Sequence, residues 1–149
     1  MSIIEENLKN LNSILPPAPA PAANYVPYSK TGKLIFVSGQ IPIVNGEMIV
    51  GKVGKDTEVN DAVKAARACG LAIISQLREA TDSNLDSISK IIKLGGFVNC
   101  VENFTKQPEI INGASDLMVQ VFGEKGKHSR FAVGSNSLPR GVVVEIEAI

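Results

Sequence analysis

The segment that most narrows what this chain can become is its end, Val142-Val-Val-Glu-Ile-Glu-Ala-Ile149. Successive side chains of a strand point to opposite faces, so Val142, Val144, Ile146 and Ala148 form one apolar row while Glu145 and Glu147 stand together on the other side. Such a strand calls for a sheet covered on one face only. In Ser129-Arg-Phe-Ala-Val133 the same alternation puts Arg130 and Ala132 on one face and Phe131 and Val133 on the other. A guanidinium and a carboxylate on neighbouring strands suit a small anionic ligand: the arginine grips a carboxylate through paired hydrogen bonds, and the glutamate moves protons or orients water. An arginine and a glutamate fifteen positions apart equally describe a cross-strand ion pair or two solvated charges.

Upstream, Ile4, Leu8, Leu11 and Leu15 recur at helical spacing behind a Ser2-x-x-Glu5 capping box, predicting a short amphipathic helix over residues 1–15. The prolines of Pro16-Pro-Ala-Pro-Ala-Pro21 cannot continue it, because proline lacks the amide donor and biases its neighbour toward extended geometry. Residues 16–23 therefore read as a stiff connector, and the helix as an appendage. From Asn24 the pattern turns to strands: an extended edge segment to Ser29, the apolar run Leu34-Ile-Phe-Val-Ser38, and a hairpin of Ile41 to Val44 and Glu47 to Val50 around Asn45-Gly46. Asp56 or Thr57 can cap a long helix ending near Ala80, with Val59, Val63, Ala66, Gly70, Ile73, Ile74 and Leu77 on its packing face. Ile88 to Asn99 reads as one strand bent at Gly95-Gly96, and a second helix runs from Pro108 to Gly123. This order predicts an α+β fold, one mixed sheet with both helices on one face. Glu145, Glu147 and Arg130, together with Val143 and Ile149, would then occupy the open face, an apolar mixture that self-association would cover.

A length of 149 residues fits a single domain over 1–149. Fifteen basic and fifteen acidic residues cancel, without a basic stripe, which argues against a nucleic-acid partner. Cys69 and Cys100 have no partner at metal-ligand spacing and read as small buried hydrophobes of a reducing compartment. No stretch approaches a membrane span and no leader pattern opens the chain, so a cytoplasmic protein with no membrane, metal or organic cofactor is expected. Ser38-Gly-Gln40 lacks the pattern of a nucleophile elbow, and Gly51-Lys-Val-Gly54 that of a phosphate loop; both read as turns, and His128 as a loop histidine.

Three blocks in order, Leu34-Ile-Phe-Val-Ser-Gly-Gln-Ile-Pro42, Leu94-Gly-Gly-Phe-Val-Asn99 and Arg130 with Leu138-Pro139 and Val144-Glu-Ile-Glu-Ala-Ile149, resemble the YjgF/RidA family, also called endoribonuclease L-PSP. The resemblance runs from about Tyr25 to the last residue and implies a chorismate-mutase-like fold in a homotrimer with a pocket at each subunit boundary. It further implies that Arg130 binds a substrate carboxylate, that Glu145 activates water, that Ser38 and Gly39 line the pocket, that Tyr25 closes it, and that Asn112 opens the second helix. Two features depart from the family pattern. Ala132 stands where imine-hydrolysing members carry Cys, Ser or Thr, and the N-terminal helix with its Pro-rich arm places the chain in a longer branch. The expected function is cofactor-free deamination of small enamines and imines such as 2-aminoacrylate or 2-iminopropionate to 2-keto acids and ammonia. The alternatives are a non-catalytic trimeric binder of 2-keto or imino acids, which Ala132 favours, and an endoribonuclease, which the charge balance disfavours.

Overall fold

A computed structural model describes residues 2–149. Helix α1 (Ile3–Asn10) opens with the Ser2 side chain accepting from the Glu5 amide at 3.0 Å. Strands β1 (Tyr28–Thr31) and β2 (Leu34–Gln40) follow, then the hairpin β3 (Ile43–Val44) and β4 (Glu47–Met48). Helix α2 (Val59–Ala80), β5 (Lys93–Asn99), helix α3 (Gln107–Phe122), β6 (Ser129–Ser135) and β7 (Val144–Ala148) complete the order. The main sheet runs β1-β2-β7-β5-β6, antiparallel except for β5 beside β6. The mixed sheet anticipated from the strand pattern is therefore present. At the hairpin tip Asn45 (φ 51°) and Gly46 (φ 80°) both take the left-handed conformation that a tight two-residue turn demands.

Both long helices cover one face. Leu94, Val98, Val144, Ile146 and Ala148 are buried beneath them with Ile73, Ile74, Leu117 and Met118. The helices approach closely because two glycines allow it: a Cβ on Gly113 would lie 2.1 Å from the Val63 carbonyl oxygen, and one on Gly70 would lie 2.9 Å from Leu117. The thiols of Cys69 and Cys100 are free and buried, and burial pushes the Cys69 thiol up.

The structure departs from the sequence expectations in several places. Helix α1 is not an appendage: Ile4 and Leu8 enter the core, the Asp86 carboxylate accepts from the Ile3 and Ile4 amides, and Asn7 donates to the Val121 carbonyl. The Pro-rich arm is likewise pinned, since Ser75 and Gln76 on α2 donate to the carbonyls of Pro16 and Pro19. Neither Asp56 nor Thr57 caps α2. Asp56 instead accepts from the Lys52 amide and the Thr57 hydroxyl in the preceding turn, and Glu58 takes the N-cap place. The strand expected from Ile88 begins only at Lys93, its ladders run without a register shift through Gly95 and Gly96, and these glycines let its two faces be approached. A Cβ on Gly95 would lie 2.7 Å from Phe131 and one on Gly96 would lie 2.6 Å from Ile111. Val143 is buried rather than on the open face, because β7 begins only at Val144 and the Val143 amide bonds to the Ile49 carbonyl.

Candidate functional site

Strand β2 carries the local irregularity that builds the site. Val37 pairs with Ala148 and Gln40 with Ile146, so three steps along β2 match two along β7. Val37 and Gln40 are both buried toward the helices, and the extra residue leaves Ser38 and Gly39 to the other side, a β-bulge of the kind that re-aims groups at functional sites. Gly39 lies against the Glu145 carboxylate so tightly that a Cβ there would be 2.3 Å from Oε1. The Ser38 hydroxyl does not face the pocket as expected. It donates to the Val26 carbonyl at 2.7 Å, while the Ser38 amide donates to the Pro27 carbonyl at 3.0 Å, and together they fasten the segment bearing Tyr25 onto the sheet.

Two hollows meet at Gly39 and Glu145. One, of about 390 Å³, lies under the Pro-rich arm and is lined by Tyr25, Ile41, Met48, Arg140 and arm residues 19–23. The other, about 350 Å³ on the open sheet face, adds Phe97, Leu138 and Glu147. Burial and, second, the neighbouring Glu147 charge push the Glu145 carboxyl above the ordinary glutamate range, a shift suited to a group that trades protons. A larger apolar cavity of about 590 Å³ sits between the arm, the hairpin and α2; no titratable side chain lines it, so the chemistry is not there. Among the described residues no cluster of three His, Cys, Asp or Glu side chains could hold a metal ion, and no helix is long and apolar enough to cross a membrane.

Arg130 is the principal correction. The ladders align Phe97 with both Val133 and Glu145, and Leu94 with both Arg130 and Ala148. Residues opposite each other share a face, so Glu145 stands on the open side with Phe97 and Val133, and Arg130 on the helix side with Leu94 and Ala148. Within each strand the side chains alternate as the sequence predicts, but the relative parity of two strands is set by pairing register, and a one-residue offset inverts it. On outer strand β6, Arg130 reaches past α3, donating to the Ser115 hydroxyl at 3.0 Å and the Pro108 carbonyl at 3.1 Å. Ala132 shares this side and packs against the core. Asn112 does not open α3 but is its sixth residue, exposed, on the stripe of Pro108 and Ser115 that receives Arg130.

The expected residues thus fall into two groups: Tyr25, Gly39 and Glu145, with Ser38 behind them, on one side, and Arg130, Ala132 and Asn112 on the other. Sequence reading missed Arg140 and the arm as pocket walls. Arg140 has φ 60° beside Gly141 at φ 72°, a signal visible only as the Pro-Arg-Gly turn preceding β7.

Comparison with known proteins agrees with this architecture. A family model described as "YjgF/chorismate_mutase-like, putative endoribonuclease" matches residues 5–146. Protein TCP17 of Trypanosoma cruzi is 43% identical over 98% of this chain and 92% of its own. A crystal structure of an Agrobacterium tumefaciens protein described as of unknown function superposes with a TM-score of 0.92 at 45% identity, covering 98% of this chain and 90% of that one. E. coli TdcF, solved with bound serine, gives a TM-score of 0.61 at 26% identity over 88% of this chain and 90% of its own.

Proposed function

This chain belongs to the YjgF/chorismate mutase-like family, and on that footing we propose that it is a cofactor-free deaminase of small imino acids, working as a homotrimer whose sites join the two residue groups across each subunit boundary. The observation that carries the reading is the Glu145 carboxyl, seated on the Gly39 backbone with a raised pKa at the meeting of two hollows. Arg130 lies on the far face of its own sheet, so in this reading it reaches the Glu145 hollow only from a neighbouring copy. Exposed Phe97, Val133 and Phe36 on the open face give the copies an apolar surface to bury.

In this mechanism the Arg130 fork holds the carboxylate of a 2-imino acid. Glu145 takes a proton from a water as the water oxygen bonds to the C=N carbon, and returns it to the nitrogen as the double bond becomes single. In the resulting carbinolamine the hydroxyl proton passes through Glu145 to the nitrogen as the C=O bond forms, the C–N bond breaks and ammonia leaves. Imines hydrolyse spontaneously, so positioning and proton transfer are sufficient for so sparse a site. The serine bound to E. coli TdcF is likewise a small molecule with a carboxylate beside a nitrogen-bearing carbon. Ala132 supplies no hydroxyl or thiol beside the water, and this favours a second reading, a trimer that binds 2-keto acids without turnover. The endoribonuclease designation finds less support, because Glu145 and Glu147 share the open face and repel a phosphodiester.

The test is ammonia release from freshly generated 2-iminopropionate by wild type, Arg130→Ala and Glu145→Gln. Turnover lost in both variants supports deamination; 2-keto acid binding without turnover in wild type selects the binder, and neither binding nor turnover in wild type discards both.

A further inference from the structure

Around Arg130 the structure assembles two side chains, Ser115 and His128, that deamination as proposed does not use. His128 Nδ1 lies 2.6 Å from the Gly126 carbonyl oxygen, and its Nε2 lies 2.9 Å from Ser115 Oγ. A carbonyl can only accept, so Nδ1 carries the hydrogen. In the neutral ring Nε2 is then an acceptor, and the Ser115 hydroxyl donates to it. With its hydrogen so committed, Ser115 Oγ turns a lone pair to Arg130, which donates to it from Nη1 at 3.0 Å. Arg130 Nη2 donates to the Pro108 carbonyl at 3.1 Å. The far end of this relay is rigid: Gly126 is buried so closely against α3 that a Cβ there would lie 2.1 Å from the Met118 carbonyl oxygen.

We propose that Ser115 and His128 are positioning residues for the carboxylate anchor: they hold the Arg130 guanidinium in place through neutral acceptors, leaving its charge and its remaining N–H groups for the ligand. This rests on the reading of Arg130 as that anchor. Both groups that receive it, a hydroxyl and a carbonyl, are uncharged, and no carboxylate forms an ion pair with Arg130 among the described residues. Of five guanidinium N–H groups two are occupied, so three remain, and a bidentate carboxylate needs two. Ordering the long side chain before the ligand arrives removes part of the entropy lost on binding, which strengthens affinity without touching the chemical step. Both residues are half-buried at the flank of α3, where they support the arginine while its fork stays reachable.

His128 is the only histidine of the chain, which makes the relay directly observable. Long-range proton–nitrogen NMR of the intact protein should show the Nδ1–H tautomer; an Nε2–H tautomer overturns the proposal. Calorimetry with pyruvate and 2-oxobutyrate, beside imine turnover, then compares wild type, Ser115→Ala, Ser115→Thr and Arg130→Ala. Ser115→Ala is expected to weaken affinity and raise KM roughly three- to tenfold with kcat and melting temperature little changed, and Ser115→Thr, which keeps the hydroxyl, to recover most of the loss. Affinity unchanged in Ser115→Ala but lost in Arg130→Ala sinks the positioning role and leaves the anchor standing. Full affinity in Arg130→Ala, or no 2-keto acid bound by wild type, removes anchor and positioning role together. Binding through Arg130 without turnover discards deamination alone, and Ser115→Ala then decides the positioning role by affinity.

Discussion

At the scale of single residues, the meeting of Gly39 and Glu145 is the point on which chemistry should turn. A Cβ at Gly39 would fall 2.3 Å from Glu145 Oε1 and 3.1 Å from its Cδ, so the atoms in the way are the end of a flexible side chain, not backbone. Gly39→Ala should therefore cost little stability, about 1 kcal/mol, while the displaced carboxylate loses its aim and turnover falls about a hundredfold. Urea titration and imine kinetics on one preparation separate the two effects; full activity in Gly39→Ala would dismiss Glu145 as the proton carrier. Glu145 also makes a signed prediction about pH. Its carboxyl titrates above the ordinary glutamate range through burial and Glu147, so the folded chain holds that proton more tightly than the unfolded chain. The resulting stabilisation is fully present below the unfolded pKa and disappears as pH rises through the folded one. Glu145→Gln cannot ionise and keeps the benefit: its melting temperature at neutral pH should match or exceed wild type, with a flatter profile above the ordinary glutamate range. A clearly less stable Glu145→Gln would mean that the carboxylate is held by a favourable partner.

Among the elements, α1 and the arm separate a folded role from a tethered one. Leu8 is 3% exposed and belongs to the core that α2, α3 and the sheet share. Leu8→Ala should cost about 2–4 kcal/mol in a single cooperative transition; a loss below about 0.5 kcal/mol would restore the picture of a loosely attached helix. The same packing lays the arm beside Tyr25 and Glu145, so an element that reads from sequence as a connector, and that lies inside the residues 5–146 matched by the family model, becomes a wall of the site.

For the molecule as a whole, the separation of Arg130 from Glu145 would give the proposed trimer a functional signature beyond its mass. Three copies of the 15.8 kDa chain are expected at sedimentation equilibrium. If each site joins Glu145 of one copy to Arg130 of the next, then refolding equal amounts of Arg130→Ala and Glu145→Gln together should regenerate native pairs in about a quarter of the sites. Mixtures as inactive as either variant alone would place both residues in one chain's site and contradict the register argument.

The amino-acid sequence alone determined the repeating local features: the Asn45-Gly46 turn, the two long helices, the alternation of β6 and β7, and the motif blocks that mark the family. These depend on near neighbours, where side-chain period and turn chemistry act within a few residues. Tertiary structure decided what depends on distant partners. Whether Arg130 shares a face with Glu145 follows from how β5 pairs with β6 and β7, and whether Gly95-Gly96 bends or admits neighbours follows from Phe131 and Ile111. The Ser38 hydroxyl was committed by the Val26 carbonyl, twelve residues away, and the Ile4–Leu8 stripe of α1, legible in its period, was drawn into the core by α3, a distant partner that no local period reveals. Periodicity sorts the side chains within each strand; register and packing choose which faces meet, and that choice put the carboxylate and the guanidinium of this protein on opposite sides of its sheet.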